Sequence, residues 1–129
     1  MRKIRFSICL LLLSVSAFAH LQVFDDIATA IRSGDAHSIA KFFGTNVDLT
    51  ILNQEEMYSK AQAEQVLKDF FSKNNPTSFT IIHTGISKEG SKYAIGSLTT
   101  SQGTTYRTYF YSKQTGNVSY IQELRFMVE

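Results

Sequence analysis

The chain has 129 residues, with 13 Lys and Arg against 11 Asp and Glu, and a single cysteine. Three of the basic residues, Arg2, Lys3 and Arg5, crowd the first five positions, so the remainder holds ten basic residues against 11 acidic ones. That balance excludes the basic footprint of a nucleic-acid-binding surface, and one cysteine excludes a disulfide framework within the chain.

Met1-Arg2-Lys3-Ile4-Arg5 is a short basic segment, Phe6 to Val15 is an apolar run broken only by Ser7 and Ser14, and Ala17-Phe18-Ala19 supplies small residues where a signal peptidase reads them. The run is shorter than the roughly 20 residues that cross a bilayer. We expect residues 1–19 to be a signal peptide cleaved after Ala19, with no membrane anchor left. The domain 20–129 is then expected in the bacterial periplasm or outside the cell. Cys9 leaves with the signal, so the mature chain offers no thiol as nucleophile or metal ligand.

Phe24, Ile27, Ala28 and Ile31 recur at helical spacing and predict an amphipathic helix over 22–33, stopped by Gly34. Asp35 caps a second short helix carrying Ile39, Ala40, Phe42 and Phe43. Val47, Leu49 and Ile51 alternate with Asp48 and Thr50 as a strand does. Ser59 with Gln62 forms a capping box, and the helix behind it lines up Ala63, Val66, Leu67, Phe70 and Phe71. Asn74-Asn75-Pro76 ends it. Four antiparallel strands follow, near 78–87, 91–100, 104–113 and 117–128. They are joined by loops ending in Gly90, Gly103 and Gly116, each placed for a left-handed conformation.

Loop length sets the register. A three-residue loop 101–103 pairs Ala94, Gly96 and Leu98 with Phe110, Thr108 and Tyr106 on one face. On the other face it pairs Tyr93 and Ile95 with Tyr111 and Tyr109. A three-residue loop 114–116 pairs Phe110 with Tyr120, Thr108 with Gln122 and Tyr106 with Leu124 inside. Outside, it sets Arg107 against Glu123, Tyr109 against Ile121 and Tyr111 against Ser119. The first hairpin leaves the face of His83 open, because a two-residue turn at Glu89-Gly90 would move it to the opposite side.

This order of elements resembles the nuclear transport factor 2-like superfamily. More narrowly, Val23-Phe24-Asp25-Asp26-Ile27-Ala28, the stretch from Tyr58 to Gln65, Phe79-Thr80-Ile81-Ile82-His83 and Leu124-Arg125-Phe126 resemble the family of small exported bacterial proteins called domain of unknown function 4783. The resemblance implies an α+β fold in which a bent antiparallel sheet wraps N-terminal helices into a cone, often with an internal pocket. No activity comes with it, and a fold alone does not give one.

Superfamily enzymes such as ketosteroid isomerase place carboxylates, histidines and tyrosines inside the cone. The inward face read here offers only Tyr106, Thr108, Tyr120 and Gln122, with no carboxylate to serve as base. No catalytic residue is therefore assigned. Thr108, Gln122, Tyr106 and His83 are candidates to line a small-molecule site; the plainer reading of Thr108 and Gln122 is mutual hydrogen bonding. His83 reads first as a strand histidine satisfied by a neighbour, and second as a catalytic group. His20 would head the mature chain, but with only His37 and His83 besides, spacing supplies no copper ligand set. No metal or cofactor is expected.

The outward face gathers Tyr93, Ile95, Tyr109, Tyr111 and Ile121, bordered by Arg107 and Glu123. A solvated face should alternate to polar residues, so this patch is the candidate interface. The expected function is a non-catalytic binding or interaction module of the cell envelope, working as a homodimer through this face or on a protein partner. The alternative is a small-molecule enzyme of isomerase or dehydratase type using the cone cavity.

Overall fold

The computed structural model describes residues 22–129. The signal-peptide reading of 1–19 and the role considered for His20 lie outside those residues. Helix α1 (22–33) buries Phe24, Ile27, Ala28, Ala30 and Ile31, the stripe that its spacing predicts. Gly34, at φ +67°, turns the chain, and its amide donates to the Ile31 carbonyl at 3.0 Å. Helix α2 (Ala36–Ala40) follows, capped by the Asp35 carboxylate, which accepts from the His37 amide at 3.1 Å and from the Ser38 hydroxyl at 2.8 Å. Phe42 and Phe43, expected on this helix, lie beyond it: the helix ends at Ala40, and Phe43 opens strand β1 (Phe43–Ile51).

A two-residue turn with Leu52 at φ +57° leads to strand β2 (Gln54–Ser59), which the sequence pattern did not predict. Ser59 then closes the expected capping box: its hydroxyl accepts from the Gln62 amide, while the Gln62 side chain accepts from the Ser59 amide. Helix α3 (Lys60–Lys73) buries Ala63, Leu67, Phe70 and Phe71. Strands β3 (Pro76–Ile86), β4 (Lys92–Thr100), β5 (Thr105–Thr115) and β6 (Val118–Val128) complete the chain.

The sheet has six strands in the order β2-β1-β6-β5-β4-β3, all neighbours antiparallel except the β1–β6 pair. Its concave face carries Phe79, Ala94, Leu98, Phe110, Leu124 and Phe126 against the helices, all buried. Phe70 sits at the centre of this layer, 5.0 Å from the Phe126 ring and 5.4 Å from that of Tyr106. Gly96 admits the Phe79 ring against its backbone, where a Cβ would lie 2.6 Å from Phe79 Cζ. Irregularities at Ile82 in β3 and Gln122 in β6 break the ladders, and bulges of this kind bend a sheet.

The β4–β5 register is the one that the 101–103 loop predicts, from Tyr93 opposite Tyr111 to Leu98 opposite Tyr106. The β5–β6 register differs from the expectation. Thr115 pairs with Val118 across a two-residue turn, Gly116-Asn117, with Gly116 at φ +63°. Glycine first in a two-residue hairpin turn is the mark of type II′. Arg107 therefore stands opposite Met127, Thr108 opposite Phe126, Tyr109 opposite Arg125 and Tyr111 opposite Glu123. Past the bulge, Ser112 pairs with Ile121, so residues 118–121 present the opposite faces from those expected.

Candidate functional site

On the concave face Tyr106 and Thr108 are buried, as expected, but Gln122 is not beside them. It is the unpaired bulge residue and is exposed, while Phe126 fills the place opposite Thr108. The Tyr106 hydroxyl donates to Asn74 Oδ1 at 2.6 Å, and Thr108 Oγ1 donates to the Tyr106 carbonyl at 3.5 Å. Tyr120, also expected inside, is 36% exposed. Among the described residues, the buried polar and charged ones are Thr50, Ser91, Lys92, Thr100, Thr108 and Ser112, with no carboxylate. Lys92, at the hairpin end of β4, reaches Ser119 Oγ at 3.5 Å. Beside the cone, between α3 and the β1–β2 hairpin, a cleft of about 260 Å³ is lined by Leu49, Ile51, Tyr58, Val66 and Asn74 among others.

The convex face brings Tyr93, Ile95, Tyr109 and Tyr111 together across β4 and β5, all half-buried. Ile121 is not part of this patch: the bulge turns it into the core at 1% exposure. His83, whose face was open, pairs with Ile95 and lies on the convex side, its Nε2 3.2 Å from the Tyr93 hydroxyl. It is thus a neighbour of the tyrosine patch rather than of Tyr106 and Thr108. The Tyr93 and Tyr109 rings lie 6.3 Å apart, and the Tyr111 hydroxyl donates to Ser91 Oγ at 3.0 Å. Gly85 leaves room for the Tyr93 ring to lie flat, since a Cβ there would fall 2.1 Å from it.

Glu123 pairs with Arg125 on its own strand, not with Arg107. The Arg125 guanidinium also lies over the Tyr109 ring, 5.6 Å from its centroid. Burial, followed by the negative charge of Glu123, raises the Tyr109 phenol above its ordinary range. Arg107, Arg125, Tyr109, Ile95, Glu123 and Met127 line a depression of about 280 Å³ in this face.

Two polar groups are visible only in the structure. Asp48 and Thr50 of β1 face the convex side, flanked by Glu55 of β2 and by Glu123 and Arg125 of β6. Contact with the Asp48 carboxyl, and its charge, hold Glu55 above the usual carboxylate range. Elsewhere, His37 Nδ1 lies 2.8 Å from Glu64 Oε1 at a cleft of about 400 Å³ between α2 and α3. Asp35, at the same cleft, is held below the carboxylate range chiefly by the Ser38 hydroxyl. Among the described residues, no group of three or more His, Cys, Asp and Glu is placed to hold a metal ion. No helix among them is long and apolar enough to cross a membrane.

Helices packed into the concave side of a bent six-stranded sheet, with β1 returning parallel beside the last strand, define an α+β domain of the nuclear transport factor 2-like kind. The sequence model described as "Domain of unknown function (DUF4783)" matches residues 24–127, and the chain belongs to that family. It is similar to the DUF4783 family protein of Bacteroides uniformis, with 27% identity and a TM-score of 0.76 over 81% of this chain and 95% of that one. The Bacteroides ovatus member gives 27% identity and a TM-score of 0.75 over 81% and 93%. An NTF-2 like protein of unknown function from Silicibacter pomeroyi shares the fold at 10% identity, with a TM-score of 0.62 over 91% and 98%. No curated protein matches the chain.

Proposed function

We propose that this protein is a non-catalytic interaction module of the bacterial cell envelope, acting as a homodimer through the convex face of its sheet. The observation that carries this reading is the side-by-side placement of Tyr93, Ile95, Tyr109 and Tyr111 on a face that no helix among the described residues covers. Burying an aromatic or aliphatic side chain contributes roughly 1.5–3 kcal/mol before association costs, and two-fold symmetry uses each contact twice. Filling of the concave side by Phe70, Phe79, Phe110 and Phe126 supports an interaction role over small-molecule chemistry inside the cone. So does the lack of a carboxylate among the buried residues described. The basic, apolar and small-residue segments of residues 1–19 support the compartment.

Tyr109→Lys tests the reading, because it sets an unpaired ammonium at the centre of the patch. Size-exclusion chromatography with light scattering should show a dimer for the wild-type protein and a monomer for the variant, with unchanged far-ultraviolet circular dichroism. A variant that dimerises as well as the wild type contradicts it.

A further inference from the structure

The convex face carries an acidic cluster beside the tyrosines. Asp48 and Thr50 project from β1, Glu55 stands across the β1–β2 pair, and Glu123 and Arg125 stand across the β1–β6 pair. Three carboxylates thus surround one guanidinium, and Arg125 is already engaged by Glu123 and by the Tyr109 ring. Among the described residues, Asp48 Oδ1, Thr50 Oγ1 and Arg125 Nε are buried with no hydrogen-bond partner, while Glu123 Oε1, buried beside them, has only the ion pair with Arg125. Thr50 is only 8% exposed, so its hydroxyl has little access to water. A buried polar group left unbonded costs on the order of 1–3 kcal/mol, and native folds rarely keep such groups together.

The carboxylate and hydroxyl oxygens of Asp48, Glu55 and Thr50 outnumber the one orphaned donor beside them, Arg125 Nε, so the set has acceptor capacity left for a donor-only cation. A guanidinium suits it best, because its planar fork of N–H groups matches carboxylate geometry. The chain carries one on the same face. Arg107 on β5 is exposed, and among the described residues it has no carboxylate partner. It lies diagonally across β6 from that cluster. Facing sheets pack about 10 Å apart, within reach of a long side chain from one to the other. A two-fold axis lying in the interface and crossing β6 near Arg125 would exchange the two positions.

We propose that Arg107 of a second copy docks on the cluster formed by Asp48, Thr50 and Glu55, and that the reciprocal contact forms at the same time. Each cluster is then incomplete in a single chain, and the pair of contacts fixes the register of the two sheets. This inference rests on the homodimer reading above and names the polar contacts within it.

Arg107→Glu and Glu55→Arg change two exposed positions, so both variants should fold. Each alone places like charges across the interface, and its dimer dissociation constant, measured by sedimentation equilibrium, should rise at least tenfold. Mixing the two variants in equal amounts should restore dimers, because each chain then offers the charge that the other lacks. Arg107→Gln should weaken the dimer without repulsion and should be less sensitive to salt than the wild type. A wild-type dimer unaffected by Arg107→Glu, or variants that stay apart on mixing, overturns this contact and leaves the dimer standing. A monomeric wild-type protein overturns the dimer reading itself.

Discussion

Ile121 and Gln122 are neighbours in sequence with opposite expected costs when truncated. Ile121 is 1% exposed and pairs with Ser112 at the edge of the bulge, while Gln122 pairs with nothing and is exposed. Ile121→Ala removes three carbons from the core. At about 0.8 kcal/mol per buried methylene the transfer loss is about 2.4 kcal/mol, and the cavity left behind brings the total to about 2–5 kcal/mol. For a domain of this size that lowers the melting temperature by at least about 10 °C. Gln122→Ala should stay within about 0.5 kcal/mol. Urea denaturation followed by circular dichroism at one pH and salt concentration compares the two variants. A larger loss for Gln122→Ala than for Ile121→Ala would return Gln122 to the concave face beside Thr108 and refute the bulge.

Other expectations follow from single contacts. Gly96→Ala would drive a Cβ to within 2.9 Å of the Thr80 carbonyl oxygen as well as into the Phe79 ring, and should cost about 1–3 kcal/mol in the same denaturation assay. Ser59→Ala removes the hydroxyl that caps α3 and should cost about 1 kcal/mol. Glu55 holds its proton more tightly in the fold than in the unfolded chain, through the Asp48 contact, with Glu123 opposing ionisation and Arg125 favouring it. Its contribution to stability is therefore lost as pH rises above the ordinary glutamate value of 4.5 through the raised folded value. Glu55→Gln should flatten that slope in a series of melts from pH 4 to pH 8.

The helices and most of the core were legible in the sequence because burial follows a fixed period. The stripes on α1 and α3 and the alternation along β4 are read directly from Ile27, Ile31, Leu67, Phe70, Ala94 and Leu98. The β4–β5 register was legible because the Gly103 loop has the length assigned to it. The last hairpin departs from the three-residue loop expected of it, although the sequence carries the signal: Gly116-Asn117 is itself a two-residue turn dipeptide. The bulge left a trace as well, since Ile121 falls out of step with Leu124 and Phe126, and a break in alternation is what an inserted residue produces. Strand β2 left less. Glu55, Glu56 and Met57 are all exposed at the edge of the sheet, so no buried period marks them. The acidic cluster depends on that strand and on the parallel β1–β6 pairing, contacts between segments far apart in the chain that local patterns do not report.

The proposed dimer joins two copies of the chain through the convex face. Sedimentation equilibrium of the wild-type protein, from low to high micromolar concentration, measures this without any substitution. A self-association that runs to twice the chain mass, with no larger species, is the predicted result. A single species of one chain mass at every concentration would contradict it.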